Sequence, residues 1–442
     1  MSAAFSLRPY QRELVEDVAA AFKAGARSVV MQLGTGGGKT ATASALLARS
    51  IAKGRRALFL AHLDALLEDT SSRLSSAGLR AGFVQAGRPT DAAAPIQVCS
   101  MATLHVRGDR PPADLVIVDE CHRAMGASVR GILDAYPTAW LLGLTATPQR
   151  GDAKPLGDVF DKLVSGPSNR WLTDNGYLVP CDVLAPAAFS EKALVDDPVA
   201  AYAKHAPGTR AIVFAANVAH ADELARGFSA AGFPARCITG ETSREDRRAV
   251  RDAVAAGDVR VLVGVGVFIE GFDLPAIETV ILARGFTVTG SFLQSIGRGL
   301  RPCPETGKKR CTVIDLRGSV HLHGLPDEDR VWSLTGAAVR RAETIAALRR
   351  CAECLAIFRP AARCPRCGVE TVAAARIPRV LTRAEKLRNW SAVPVAMRDA
   401  RYLDRLRSVA TTRMRMPADR AEQWAVGVFV KRFGRKPGAV AA

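Results

Sequence analysis

A chain of 442 residues is too long for one hydrophobic core and points to roughly two to four domains. Hydrophobic residues make up 48% and charged residues 24%, the balance of a soluble globular protein, and no apolar run approaches the ~20 residues that a membrane helix needs. The formal charge of +18 is unevenly placed: residues 331–442 hold 23 Lys and Arg against 8 Asp and Glu, a net of +15, while the preceding residues hold 38 against 35, a net of +3.

A nearly neutral body with a strongly basic end points to a polyanion engaged by that end. Residues 1–9 show no charged start followed by an apolar stretch, so no secretory signal is expected and the cytoplasm is the expected compartment. Six of the ten cysteines stand singly, as small buried thiols do in a reducing compartment.

From the start, apolar runs alternate with amphipathic stretches. Residues 28–33, 56–61, 96–99, 115–118 and 140–144 read as short buried strands, and the helical patterns between several of them predict a parallel sheet covered on both faces. Ligands bind such sheets beyond the carboxyl ends of the strands. There the first run meets Gly34-Thr35-Gly36-Gly37-Gly38-Lys39-Thr40, followed by an Ala-rich helix predicted over 41–50. Glycines let backbone N–H groups approach phosphates, and the next helix adds its positive end. Lys39 would then reach the β- and γ-phosphates of ATP and Thr40 would bind Mg²⁺. Leu33 stands where the full P-loop pattern has its first glycine.

The fourth run ends in Asp119-Glu120-Cys121-His122. Beside a P-loop, two adjacent carboxylates divide the work: Asp119 holds the Mg²⁺ shell and Glu120 orients and deprotonates the attacking water. The fifth run ends in Thr145-Ala146-Thr147-Pro148, whose hydroxyls are candidates for relaying nucleotide state.

In order along the chain, Arg8-Pro9-Tyr10-Gln11, the P-loop, Asp119–His122 and Thr145–Pro148 resemble the motif set of superfamily 2 helicases. The resemblance implies two RecA-like domains, Arg8 and Gln11 at the nucleotide with Gln11 on the adenine edge, and His122 coupled to the Thr145–Thr147 segment. Ala61-His62-Leu63 resembles motif Ia, with Leu63 where relatives often carry Arg. Ser100–Leu104 resembles motif Ib, with Thr103 as its phosphate contact.

In the second half, strands are predicted at 211–215, 259–263, 279–282 and 312–316, with no second P-loop. Glu270-Gly271-Phe272-Asp273 resembles motif V, where Gly271 permits close approach and Asp273 contacts ribose or relays closure. Gln294-Ser295-Ile296-Gly297-Arg298-Gly299-Leu300-Arg301 resembles motif VI. Gln294 is its coupling residue, and the spacing of Arg298 and Arg301 predicts one helix face. Guanidinium groups from a second domain would stabilise γ-phosphate charge, a service worth roughly 10³–10⁵ in rate.

Near the end, Cys351, Cys354, Cys364 and Cys367 form two CxxC pairs, which can complete a Cys₄ shell for structural Zn²⁺. Arginines and lysines interleave there with Trp390, Tyr402, Trp424 and Phe429. That mixture suits polyanion binding, although each aromatic by itself reads as core. His321 and His323 read as structural histidines at a strand end. The stretch 315–334 and the cysteine cluster resemble the RadD-type bacterial and phage branch of superfamily 2. That branch implies DNA repair or phage DNA metabolism and contact with single-strand binding protein.

The expected fold is α/β: RecA-like domains at 1–170 and 171–335, a zinc-ribbon-like element at 336–375 and a basic helical tail at 376–442. The expected function is an ATP-dependent nucleic-acid translocase or helicase, with DNA favoured and no membrane partner. An RNA helicase, an ATP-switched adaptor that separates no strands, and the motor portion of a restriction complex stand as alternatives.

Overall fold

The computed structural model describes residues 6–61, 64–108, 110–150, 154–190, 193–266, 274–335, 339–340, 348–371, 403, 406–407, 410–411 and 416–433. Residues 1–380 form one compact unit and residues 381–442 another.

The first unit holds two sheets. Sheet one comprises β1 (Ser28–Gln32), β2 (Ala57–Ala61), β3 (Ala81–Val84), β4 (Ile96–Ser100), β5 (Leu115–Val118), β6 (Trp140–Thr145) and β7 (Lys162–Ser165), in the spatial order 3-4-2-5-6-1-7. Every pairing is parallel. The buried runs β1, β2, β4 and β5 need both faces covered, and helices such as Pro9–Lys23 and Lys39–Ile51 supply that cover. The order places β6 between β5 and β1, with Gly143 in register with Val118 and Thr145 with Gln32. The P-loop, Asp119 and Thr145 therefore leave the sheet along one edge.

Sheet two contains β8 (Cys181–Leu184), β9 (Ala211–Ala215), β10 (Ala235–Ile238), β11 (Val261–Val265), β12 (Thr279–Leu282) and β13 (Cys311–Asp315), all parallel. After the two-strand ladder of β14 (Arg330–Val331) and β15 (Val339–Arg340), an antiparallel hairpin of β16 (Arg349–Arg350) and β17 (Ala356–Phe358) joins sheet two at β8. Its order is 10-11-9-12-13-8-17-16. Leu33 of the first lobe shares one buried apolar cluster with Leu172, Leu178, Leu293 and Leu300.

His321 and His323 lie in the short helix Val320–His323 instead of at a strand end. Both are bound by backbone oxygens: His321 Nε2 is 2.7 Å from Pro186 O, and His323 Nε2 is 2.8 Å from Phe286 O. In the second unit, Phe429 and Ala425 of the helix Ala418–Phe433 bury against Leu403, with Trp424 partly covered beside them. Phe429 is core and Trp424 packs at its margin, while Trp390 and Tyr402 lie outside the described residues. No helix among the described residues is long and apolar enough to cross a membrane.

Candidate functional site

The P-loop grows from the end of β1. Leu33 is fully buried and donates its backbone N–H to Thr145 O at 3.0 Å. A Cβ on Gly37 would lie 2.8 Å from Leu33 Cγ, so the leucine fills the space beneath the loop. The following helix begins at Lys39, two residues before the predicted start, because left-handed Gly38 (φ +91) caps it. Gly36 is also left-handed, at φ +88, and a Cβ on Gly38 would collide with Gln11 Nε2.

The N-terminal motif braces this loop. Tyr10 Oη and Gln11 Nε2 donate to Gly37 O at 2.7 and 2.9 Å, while Gln11 Oε1 accepts from Arg8 N–H at 3.0 Å. Gln11 is thus engaged at both ends of its amide, and reading an adenine edge requires exchange of one of these bonds. The Arg8 guanidinium lies over the Tyr177 ring, 5.0 Å from its centre.

Asp119 and Glu120 follow β5. Glu120 has φ 45, a left-handed conformation that costs a non-glycine residue about 1–3 kcal/mol. Its carboxylate stands 3.8 Å from Lys39 Nζ. Burial pushes the Asp119 carboxyl up to about 7, the Glu120 charge adds to this, and Lys39 offsets part of it. Burial raises Glu120 as well, but the cations of Lys39, His122, Arg123 and Arg298 outweigh it and hold Glu120 below the usual carboxylate range. Adjacent carboxyls are therefore driven apart: a ready anion at Glu120, and at Asp119 a buried group that calls for a cation.

Motif VI arrives from the second lobe. The sequence placed Arg298 and Arg301 on one helix face; the structure corrects this. The helix Thr289–Ile296 ends before them, and both lie on the turn that follows. Gly299 presses against the sheet, where a Cβ would meet Cys311 Sγ and sit 2.8 Å from Val280 Cγ2. Pro302 then prevents a helical continuation. Both arginines still line a cleft of about 440 Å³ together with Arg8, Gln11, Thr35, Gly36, Gly38, Lys39, Thr40, Asp119, Glu120 and Gln294. Gly34 and Thr147 line an adjoining cavity that shares Thr35. Thr35 Oγ1 is buried without a hydrogen-bond partner, an orphaned donor in a loop that suits phosphate oxygens. Gly271 and Asp273, with His62 and Leu63, lie outside the described residues.

The lobes touch through side chains. Gln294 Nε2 donates to Glu120 Oε2 at 3.0 Å, and Gln294 Oε1 accepts from Arg123 at 3.1 Å. Arg123 also reaches Ser291 Oγ at 3.4 Å. His122 Nδ1 stands 2.9 Å from Thr145 Oγ1 and 3.4 Å from Glu120 Oε2, and Thr145 Oγ1 accepts from Thr147 N–H at 3.0 Å. A Cβ on Gly297 would be 2.5 Å from Thr35 Cβ, so that glycine lets motif VI lie directly on the P-loop. Sequence reasoning missed Arg123, because its partners are far along the chain and leave no local pattern. Thr103 Oγ1 accepts from Ala86 N–H at 3.2 Å on the helix Met101–Arg107.

The four clustered cysteines converge: their Sγ atoms all lie within 4.8 Å of one another, with Cys351–Cys367 and Cys354–Cys364 at 3.6 Å. Each CxxC closes a similar turn. Cys351 N–H donates to Ala356 O and Cys364 N–H to Val369 O. The residue after each pair is left-handed, Leu355 at φ 62 and Gly368 at φ 75. This donor set fits a tetrahedral Zn²⁺.

Two family models match the chain. That for "Type III restriction enzyme, res subunit" covers residues 4–150, and that for "Helicase conserved C-terminal domain" covers 193–303. A 51.5 kDa protein of Lactococcus phage (isolate 7-9) is 26% identical over 352 residues, 74% of this chain and 75% of the relative. The putative ATP-dependent helicase IRC3 of Saccharomyces cerevisiae is 26% identical over 357 residues, 71% of this chain and 52% of its own length. The DNA 3'-5' helicase XPB of Kineococcus radiotolerans is 27% identical over 382 residues, 76% of this chain and 64% of its own. The chain thus spans about half of the yeast relative. Among solved structures, a fragment of a putative HsdR subunit of a type I restriction enzyme from Vibrio vulnificus YJ016 shares the fold. It has a TM-score of 0.56 at 23% identity, covering 75% of this chain and 70% of that one.

Proposed function

The chain carries the paired domains of a superfamily 2 helicase, an ATP-hydrolysing enzyme, and from that premise we propose a DNA translocase or helicase whose two lobes open and close as ATP turns over. The observation that carries this reading is the contact of Gln294 with Glu120 across a cleft that also holds Lys39, Arg298 and Arg301. Lys39 and the P-loop amides bind the phosphates, and Gln11 and Arg8 hold the base. Thr40 and Asp119 would hold Mg²⁺, which when bound neutralises phosphate oxygens. Glu120, held anionic, orients and deprotonates the attacking water, and Arg298 and Arg301 meet the charge on the γ-phosphate. Gln294, His122, Thr145 and Thr147 report the nucleotide state between lobes, with Gly271 and Asp273 completing the second lobe's share.

If each lobe grips the phosphate backbone in turn, one hydrolysis cycle becomes one step along a strand. The basic end supplies further backbone contacts, and Cys351, Cys354, Cys364 and Cys367 hold structural Zn²⁺. This arrangement suits a RadD-like role in repair, recombination or phage DNA metabolism, with single-strand binding protein as a partner. The restriction-subunit family model favours a second reading, the same motor serving a restriction complex.

The test is ATP turnover with single-stranded DNA, duplex DNA and RNA, beside a strand-separation assay. DNA should stimulate turnover most. Lys39→Ala and Arg298→Ala should each lose turnover by roughly 10³-fold or more while DNA binding survives. Unchanged turnover in Lys39→Ala would remove the assigned nucleotide site, and stimulation by RNA alone would replace the DNA reading.

A further inference from the structure

The chain passes between the lobes a second time. After the short helix Val320–His323, residues 325–335 form a strap that leaves the second lobe and ends on the first. On the second lobe, the Arg330 guanidinium donates to His323 O at 2.8 Å and Leu325 O at 3.0 Å. Asp327 accepts both arms of the Arg359 guanidinium at 3.0 and 2.9 Å. Arg359 follows β17, so this pair ties the strap to the cysteine element. On the first lobe, Gly157 N–H donates to Leu334 O at 3.0 Å, and Leu334 packs on the cluster that holds Leu156 and Phe160.

Between these anchors the strap meets the helix Asn169–Asp174, which follows β7 of sheet one. Asn169 Nδ2 donates to Pro326 O at 3.2 Å, and Arg170 Nε stands 3.8 Å from Asp329 Oδ2. The other end of the same amide meets the P-loop, where a Cβ on Gly34 would collide with Asn169 Oδ1. One side chain therefore touches both the start of the phosphate loop and the strap. Helix capping does not account for it: Ser168 is the N-cap, its Oγ accepting from Trp171 N–H at 3.2 Å. Asn169 lines the adjoining cavity of about 260 Å³ together with Gly34, Thr35, Glu328 and Arg330, and is not among the residues that bound the nucleotide cleft. With open space behind Gly34 and Thr35, close packing does not fix the loop there, and a brace at the margin of the cavity can.

We propose that Asn169 is a positioning residue for ATP turnover, which couples the start of the P-loop to the strap and, through Asp327 and Arg359, to the cysteine element. The proposal rests on reading the cleft as an ATP site. Motif VI approaches the triphosphate from the front, while the strap acts on the loop from behind. The loop then holds its catalytic position when the second lobe and the cysteine element keep the strap in place. Because Asn169 touches the loop and not the nucleotide cleft, its loss should slow turnover without weakening nucleotide binding.

Steady-state kinetics, binding of a fluorescent ATP analogue, zinc content and melting temperature test this together on the full-length protein. Loss of turnover in Lys39→Ala checks the ATP site itself, separately from the variants that follow. Asn169→Ala should lower kcat about fivefold or more, with KM for ATP and analogue affinity changed by less than about twofold. Arg359→Asp should lower kcat in the same way, by about threefold, with zinc retained, and its combination with Asp327→Arg should restore most of the loss. Arg363→Ala, which breaks the exposed pair with Glu370 in the same element, should leave kcat unchanged. Should Asn169→Ala melt lower, Asp329→Arg sets two cations against each other at partly exposed positions and gives the same comparison. The proposal falls if Asn169→Ala and Asp329→Arg keep full kcat, if their loss lies in nucleotide affinity, if the Arg359→Asp loss follows lost zinc, or if the charge exchange restores nothing.

Discussion

Across the boundary between lobes, the Gln294 amide is polarised in a fixed sense: Arg123 donates to its oxygen at 3.1 Å, so its nitrogen faces Glu120 Oε2 at 3.0 Å. An amide can be flipped without changing its shape, but a donor on the oxygen side and a carboxylate acceptor on the nitrogen side together hold it this way round. Gln294→Ala should lower kcat by roughly 10–100-fold with little change in KM for ATP, since the bond is made to the carboxylate proposed to activate water and not to the proposed phosphate-binding groups. Arg123→Ala should produce a smaller loss of the same kind, and Arg123→Lys should recover part of it. Steady-state kinetics decides this; a rise in KM at constant kcat would show that the pair only binds nucleotide.

Gly297 marks a close approach of motif VI to the P-loop. The Cβ of Gly297→Ala would stand 2.5 Å from Thr35 Cβ, a spacing that forces the lobes apart. ATP turnover should fall at least tenfold, a cost of about 1.4 kcal/mol in the transition state. Binding of a fluorescent nucleotide to the first lobe should weaken far less. Full turnover in this variant would show that the contact is dispensable.

Asp119 gives a pH signature with a definite sign. Its carboxyl sits at about 7 in the folded protein, against an ordinary value of 3.8. Between these limits the folded chain keeps a proton that the unfolded chain has released. In Mg²⁺-free buffer, stability should therefore fall as pH rises across the window and level off above it, with a slope of at most about 1.4 kcal/mol per pH unit. Glu120 is shifted downward, so its contribution is lost only as pH falls below the ordinary 4.5. Urea unfolding of the wild type minus that of Asp119→Asn isolates the Asp119 part. A flat difference across the window would show that Asp119 is ionised throughout.

Metal removal tests the cysteine cluster. Cys364→Ser should abolish stoichiometric zinc and cost on the order of several kcal/mol in the element it holds. The melting transition should broaden or split, because β17 of that element is hydrogen-bonded to β8 of the second sheet. Metal analysis beside calorimetry reads both effects. Unchanged zinc content in the variant would rule out the Cys₄ assignment.

Much of this was legible in the sequence, for a reason that also explains the gaps. A central parallel strand is buried on both faces and appears as an unbroken apolar run, as in Leu115–Val118 and Ala211–Ala215. Edge strands are covered on one side only. β3, with its glycine and alternating burial, and β10, with exposed Arg236, offered no such run, and neither did β7. The candidate nucleotide residues were readable because phosphate chemistry constrains such residues within short motifs. Arg123 was not, since its meaning comes from Ser291 and Gln294, more than 160 residues away. Two arginines three apart suggested a helix, but the glycines between and before them obey packing against Cys311 and Thr35 instead.

The hairpin Arg349–Phe358 enters sheet two as additional strands, joined to β8 by ladder hydrogen bonds rather than tethered by a flexible linker. A ladder transmits push and pull almost without slack. The cysteine turns at and just beyond it are therefore a rigid outrigger of the second lobe: in the proposed cycle, whatever they touch would be carried with that lobe, and resistance met there would be felt at the strands beneath motif VI.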